Sequence, residues 1–213
     1  VRRAMGDLAG ALNDLQEALE EREELADSEP GNLNFQSDVA WSQRSLALVH
    51  EDRGEYQEAL GHLYLSLENC QRLVEADPTN PSRRMELAFT YGGMGRMYRA
   101  LERLEDAEKA FRNGMAIQEE VMRQDPSNAW LRREYVYNLL GLSELMLEEN
   151  RLEEAKKEIS RAKEIASDLR RRLASGNPSI EELEGRALLL LGRVEERRSE
   201  QDIARGHWEE AAD

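Results

Sequence analysis

Apolar residues recur along this chain at the three- and four-residue spacing of an amphipathic α-helix. In the clearest stretch, two such series are separated by a short polar break: Leu87, Tyr91, Met94 and Tyr98, then Leu104, Ala107, Phe111 and Met115. Because both series keep the helical period, the pattern predicts two helices joined by a tight turn. The same arrangement continues through the chain and predicts an all-α protein built from antiparallel helix pairs.

The pattern predicts nine helices. A lone helix comes first, three complete pairs follow, and a shorter pair ends the chain. In each pair we call the two members the first helix and the second helix, and the lone helix carries the second-helix pattern. The predicted ranges are 6–27, then 32–53 with 55–75, 81–101 with 104–123, 128–149 with 151–173, and 179–197 with 200–213.

Turn residues repeat with a period of 48. Pro30, Pro78 and Pro126 each follow an acid and precede an asparagine by two positions, and Asn177-Pro178-Ser179 forms a fourth turn slightly out of register. Within the pairs, breaks are predicted at Gly6, Gly54, Asn150 and, with less typical residues, Glu102 and Ser199. Gly and Asn tolerate the left-handed backbone that ends a helix. A fixed period of this length is typical of stacked repeats that bury their apolar faces against one another.

Three columns of residues mark the second helices at equivalent positions. A small residue, then a large apolar residue, then another small residue recur in each unit. The columns are Ala11, Ala59, Ala107, Ala155 and Ala204; Leu15, Leu63, Phe111, Ile159 and Trp208; and Ala18, Ser66, Gly114, Ala162 and Ala211. In the first helices a large residue precedes a small one at Leu46-Ala47, Met94-Gly95, Leu142-Ser143 and Leu191-Gly192. This alternation predicts close packing of the two helices in a pair.

These motifs resemble the tetratricopeptide repeat, whose pattern is Leu-Gly-x-x-Tyr, then Ala-x-x-x-Phe, a small residue and a proline turn. The best match is Met94-Gly95 with Tyr98, Ala107, Phe111 and Gly114. The resemblance implies a right-handed α-solenoid of antiparallel helix pairs. The period of 48 exceeds the usual 34, so the chain resembles the long-period variants found in bacterial multidomain signalling proteins.

The repeats predict a single domain over residues 1–213. Its units are a partial one at 1–28 and then 29–76, 77–124, 125–173 and 174–213. We interpret the chain as a piece of a larger protein, because it starts at Val1 and stops inside a predicted helix. Incomplete units at both ends would expose apolar surface, so a homodimer through the end units is expected.

Composition narrows the class of protein. The chain has 40% hydrophobic residues, 34% charged residues and a formal net charge of −15, most of it on the second helices. A chain this acidic is a poor candidate for nucleic-acid binding. Its longest apolar run, Ala187 to Leu191, has five residues, whereas about 20 are needed to span a bilayer. With one cysteine, Cys70, no internal disulfide can form. We therefore expect a cytoplasmic protein that binds neither membranes nor nucleic acid.

The resemblance implies that a partner peptide or helix binds in a concave groove lined by the first helices. We predict seven partner-binding residues there: Trp41, Arg44, Phe89, Arg96, Arg99, Tyr137 and Arg193. Trp41, Phe89 and Tyr137 form an aromatic column, which either anchors a partner or packs the long first helices together. Arg96, Arg99 and Arg193 either receive carboxylates or phosphates of a partner or pair with acids on neighbouring helices.

The sequence shows no pattern of catalysis, cofactor binding or metal binding. His50, His62 and His207 are far apart in sequence, and Gly92-Gly93-Met94-Gly95 lacks the lysine and hydroxyl residue of a phosphate loop. We therefore predict a non-enzymatic scaffold that recruits or regulates partners of a larger signalling protein. Two alternatives stay open: a self-assembly module, and a regulatory arm of an enzyme whose catalytic domain lies outside this segment.

Overall fold

A computed structural model describes the backbone of residues 3–173 and 178–212, and the side chains in these ranges apart from Ala4 and 201–212. All regular structure in these ranges is helical. A short 3₁₀ turn at Arg3–Met5 precedes eight α-helices. They are α1 (Leu8–Ser28), α2 (Leu33–Asp52), α3 (Tyr56–Ala76), α4 (Pro81–Ala100), α5 (Leu104–Gln124), α6 (Ala129–Glu148), α7 (Leu152–Arg172) and α8 (Pro178–Ala212). The all-α prediction of antiparallel helix pairs is confirmed.

The chain divides into two compact units, residues 1–124 and 125–213, at a boundary between two predicted repeats. In the first unit, α2 pairs with α3 and α4 with α5, while α1 packs on α2, α3 on α4, and α2 on α4. In the second unit, α6 pairs with α7, and α8 packs on both. The division of residues 1–213 into repeats of one domain stays a prediction.

Left-handed residues precede the second helices α1, α3, α5 and α7 at a constant interval. Gly6, Gly54, Glu102 and Asn150 have φ of 80°, 75°, 57° and 60° and lie 48 residues apart. The next residue closes each complete turn with a backbone hydrogen bond to the carbonyl five positions earlier. These bonds are Glu55 to His50 at 2.9 Å, Arg103 to Tyr98 at 2.8 Å and Arg151 to Met146 at 2.8 Å. This geometry is the Schellman motif, and it confirms four of the five predicted breaks.

The fifth predicted break, at Ser199, is wrong. The backbone from Pro178 to Ala212 forms one helix of 35 residues, so the last predicted pair is a single helix. Serine has no preference for the left-handed conformation, and the charged residues around it are mostly good helix formers. Asn177 of the fourth turn lies outside the described residues.

The proline turns share one hydrogen-bond arrangement. The side-chain oxygen of Asn80 accepts from the backbone N–H groups of Ser82 and Arg83, and its amide donates to Asp77 at 3.1 Å. Asn32 and Asn128 cap α2 and α6 in the same way and donate to Glu29 and Asp125. Capping by asparagine satisfies backbone donors that the helix leaves unpaired. The turns that begin α2, α4 and α6 are therefore built from the same local contacts.

The second-helix columns form the core on α3, α5 and α7, whereas Leu15 and Ala18 on α1 are half-buried. Ala59, Ala107 and Ala155 are fully buried, as are the large residues one turn later, Phe111 and Ile159. The small residues of the first helices let these side chains approach the backbone, which explains why Gly95 lies against Phe111. The side chains of Ala204, Trp208 and Ala211 lie outside the described residues.

Candidate partner-binding face of the first helices

The seven predicted partner-binding residues fall into two groups. Five lie in the first unit, Trp41 and Arg44 on α2 and three more on α4. The residues on α4 are Phe89, Arg96 and Arg99. Since α2 and α4 pack side by side, their surface is continuous, and we call it the α2–α4 face. Tyr137 on α6 and Arg193 on α8 belong to the second unit.

Polar contacts join α2 to α4 at both ends of this face. Ser37 Oγ donates a hydrogen bond to Glu86 Oε2 at 2.6 Å. Further along, Arg96 donates through Nε and Nη2 to the two carboxylate oxygens of Glu51, at 2.8 and 2.9 Å. Such a two-point arginine–carboxylate pair fixes orientation as well as charge. The interpretation that Arg96 pairs with an acid on a neighbouring helix is confirmed.

Arginines lie over two rings of the predicted aromatic column. The guanidinium of Arg44 lies 5.2 Å from the centre of the Phe89 ring and joins α2 to α4 between the two polar contacts. The guanidinium of Arg22, on α1, lies 4.9 Å from the centre of the Trp41 ring and also donates to Ser42 Oγ. A cation over an aromatic face is attracted by the negative electrostatic potential of the ring. Trp41 is nevertheless 46% exposed.

The second unit contains a related contact. Arg186 on α8 donates through Nε and Nη2 to Glu144 Oε1 on α6, at 2.8 and 2.6 Å. Tyr137 is half-buried, and burial raises the pKa of its hydroxyl, as does the negative charge of Glu182. Its hydroxyl therefore stays protonated at neutral pH. Arg193 is exposed, and no described side chain forms an ion pair with it.

Sequence reasoning predicted five residues that lie on the α2–α4 face, but it did not predict all of the contacts that they make. Arg22 was missed because it belongs to a second helix, and only the packing of α1 on α2 brings it to Trp41. The particular acid that pairs with Arg96, Glu51, was not predicted. The spacing of 45 residues between them, close to one period, is the signal that could have indicated it.

Two histidines that are far apart in sequence meet in the first unit. The rings of His50 and His62 stack with centroids 5.2 Å apart. The Nδ1 atoms hydrogen-bond to Glu55 Oε2 and Gln43 Oε1 respectively, both at 2.7 Å. Burial lowers the pKa of His62, and the neighbouring His50 lowers it further. The described residues include no group of three or more His, Cys, Asp or Glu side chains placed to hold a metal ion.

No described helix has the length and apolar character that a membrane span requires. The fold is that of helical repeat proteins, as three solved structures show. A de novo designed helical repeat protein, DHR81, is 18% identical, with a TM-score of 0.57 over 89% of this chain and 95% of its own. BtubC (BKLC) from P. vanneervenii is 13% identical, with a TM-score of 0.55 over 92% of both chains. A Podosopora anserina putative kinesin light chain protein with nearly identical TPR-like repeats is 17% identical, with a TM-score of 0.53 over 96% of this chain and 93% of its own.

Residues 38–120 match the family model described as tetratricopeptide repeat. The match spans α3 and α4 in full and most of α2 and α5, and therefore includes the α2–α4 face. No curated protein sequence matches the chain. Tetratricopeptide repeats generally mediate protein–protein interactions, which is consistent with a helical surface of this kind.

Proposed function

We propose that this protein is an interaction scaffold whose α2–α4 face binds a peptide or helix of a partner protein. The observation that carries the proposal is the Trp41 side chain, which is 46% exposed although it is among the largest apolar groups in the chain. Tryptophan and arginine are enriched among the residues that dominate binding energy. Trp41 is contacted by Arg22, and Arg44 follows it on α2, so the face combines both of these residue types.

The contacts around Trp41 also favour binding because they order the face before a partner arrives. Arg22 contacts both the ring and the adjacent Ser42, and Arg44 contacts Phe89. Immobilising a long side chain on binding costs about 0.5–1.5 kcal/mol. Side chains that already have internal contacts lose less of this free energy. The α2–α4 face therefore suits an extended or helical partner with one apolar side chain opposite Trp41.

The chain offers a matched control for this site. Trp130, at the beginning of α6, has the same 46% exposure but lies in the other unit and outside the α2–α4 face. Peptides should be selected from a random displayed library on the immobilised protein, and their affinities measured by fluorescence anisotropy. We expect Trp41→Ala to weaken the selected peptides at least tenfold and Trp130→Ala less than twofold, with unchanged circular dichroism.

A second experiment tests both rings of the aromatic column that lie on the α2–α4 face. Replacing Trp41 and Phe89 together by alanine should abolish peptide binding if these rings are ligand surface. Selected peptides that bind both the single and the double variant as tightly as the parent would overturn the proposal, provided that the helical content is preserved. Failure to select any peptide would also count against it.

We further propose that the chain is a long-period repeat segment of a larger signalling protein, in which it recruits or regulates partners. The period of 48, kept by the left-handed turns, supports this assignment. The complete open reading frame tests it, because a neighbouring catalytic domain would favour the regulatory-arm alternative. Self-assembly through an end unit is the second candidate function. It is favoured by α8, where Leu188 and Leu189 are 50% and 72% exposed.

A further inference from the structure

In the second unit, α8 leaves uncovered a face that the other three first helices bury. Leu46, Met94 and Leu142 are at most 3% exposed. In α8 the residue 48 positions after Leu142, Leu190, is 2% exposed, but Leu191, which precedes a glycine as Met94 does, is only half-buried. The next position is also buried at Ala47, Gly95 and Ser143. At the equivalent Gly192 the residue is exposed, and a Cβ atom would meet nothing within 4 Å.

The partner that normally covers this face is the second helix of the same pair. In the complete pair α4–α5, Phe111 packs so closely on Gly95 that a Cβ atom there would lie 2.7 Å from Phe111 Cδ1. In sequence, residues 200–212 carry the same second-helix pattern, with Ala204, Trp208 and Ala211 in the column positions. Trp208 corresponds to Phe111, and Gly192 corresponds to Gly95.

The continuity of α8 prevents these residues from covering their own helix. Residues 178–212 form one uninterrupted helix, about 52 Å long at a rise of 1.5 Å per residue. The second half of an uninterrupted helix cannot fold back on the first half. The uncovered face therefore lies on the first half of α8, and residues 200–212, which carry the pattern that covers such a face, lie at the other end of the same helix.

We propose that two copies of this chain pair through α8, residues 200–212 of each copy covering the uncovered face of the other. Exchange of an identical element between protomers is a low-cost route to a dimer with twofold symmetry. The contact continues the pairing already made three times within the chain, by α2–α3, α4–α5 and α6–α7. It rests on the self-assembly candidate and not on peptide binding by the α2–α4 face.

The geometry of α8 allows this pairing. If Gly192 faces Trp208 of the other copy in an antiparallel arrangement, position 195 faces position 205 one turn away. These positions are a glutamate and an arginine, and the glutamate already pairs with Lys156 on α7 at 2.6 Å, so charge does not decide the register. The contact leaves the packing of α8 on α6 and α7 intact, because that packing uses the opposite, buried face with Leu183 and Val194.

Sedimentation velocity and cross-linking test the proposal. The parent should sediment as a dimer at micromolar concentration, and Trp208→Ala should weaken the dimer at least tenfold. Ser199→Gly, which supplies the left-handed residue of the other turns, should shift the population towards monomers. Trp41→Ala should leave the mass unchanged, which separates this test from that of peptide binding.

Mixed cysteine variants identify the contact. In a Cys70→Ala background, Gly192→Cys and Trp208→Cys should form a disulfide-linked dimer when mixed, since two copies bring the positions together. A parent that stays monomeric at all concentrations would overturn both self-assembly and the exchanged pairing. A double-cysteine variant that closes only within one chain would overturn the exchange of residues 200–212. A dimer without the mixed cross-link would keep self-assembly and overturn the exchange of residues 200–212.

Discussion

The hydroxyl groups of Tyr64 and Tyr98 lie 2.7 Å apart and join α3 to α4. Tyr98 is the tyrosine of the repeat motif and is buried, whereas Tyr64 is 45% exposed. Burial raises the pKa of Tyr98, and the hydrogen bond with Tyr64 raises it further. The Tyr98 hydroxyl is therefore protonated at neutral pH.

This contact predicts a loss of stability in alkali. The pKa of Tyr98 is higher in the folded state than the unfolded value of about 10. Its contribution to the free energy of unfolding is therefore complete below pH 10 and is lost as the pH rises further. Tyr98→Phe should remove a hydrogen bond worth about 0.5–1.5 kcal/mol at neutral pH. It should also reduce the loss of stability between pH 9 and pH 11, as measured by urea denaturation. Tyr56→Phe serves as the control, and an unchanged alkaline slope in Tyr98→Phe would contradict the prediction.

The packing of Phe111 on Gly95 predicts that a single methyl group is destabilising. Three ring atoms of Phe111 lie within 2.9 Å of the position that a Cβ atom on Gly95 would occupy. Gly95→Ala should gain about 1 kcal/mol of helix propensity, but overpacking of a filled core costs about 1–3 kcal/mol. We expect a lower denaturation midpoint. Gly61→Ala, on exposed α3 surface where a Cβ atom meets nothing within 4 Å, should raise the midpoint instead.

The left-handed turn at Glu102 predicts a stabilising substitution. Glu102 is an exposed non-glycine residue with φ of 57°, whereas the equivalent Gly54 has φ of 75°. Left-handed backbone costs a residue with a Cβ atom roughly 1–2 kcal/mol, so Glu102→Gly should raise the midpoint of thermal unfolding. The reciprocal change, Gly54→Ala, should lower it. Equal midpoints for Glu102→Gly and the parent would show that the turn is not strained.

Removal of the asparagine side chain that caps α4 should lower the free energy of unfolding by about 1 kcal/mol. Asn80 accepts from two backbone donors and donates to Asp77. Asn80→Ala should therefore lower the denaturation midpoint, while Asn80→Asp should keep the helix-capping part of the contribution. Asn113→Ala, at an exposed position inside α5, provides the comparison and should be neutral or slightly stabilising.

The lowered pKa of His62 predicts that the folded protein loses stability in mild acid. Its folded-state pKa lies below the ordinary value of 6.5 because of burial and of His50 nearby. The unfolded chain therefore binds more protons below about pH 6.5, and stability falls as the pH falls through this range. His62→Gln should flatten the dependence between pH 7.5 and pH 5.5 in urea denaturation. A slope equal to that of the parent would rule out this contribution.

The sequence predicted those features that depend on local chemistry. Gly54 and Asn150 favour left-handed backbone, and Asn80 favours a helix cap, so the turns could be located without a structure. Ser199 has no such preference, and its neighbours favour helix, which explains the wrong prediction there. The contact between Arg22 and Trp41 depends on how α1 packs on α2. The spacing of apolar residues does not specify side-chain positions at this level.

The turn at Asp125 has a practical consequence. Its hydrogen bonds are made by the aspartate, Ser127 and Asn128, all within four residues of one another. The junction thus carries its own stabilising contacts. Because none of these bonds involves a residue before Asp125, a gene fusion made between Gln124 and Asp125 would leave all of them in the downstream segment.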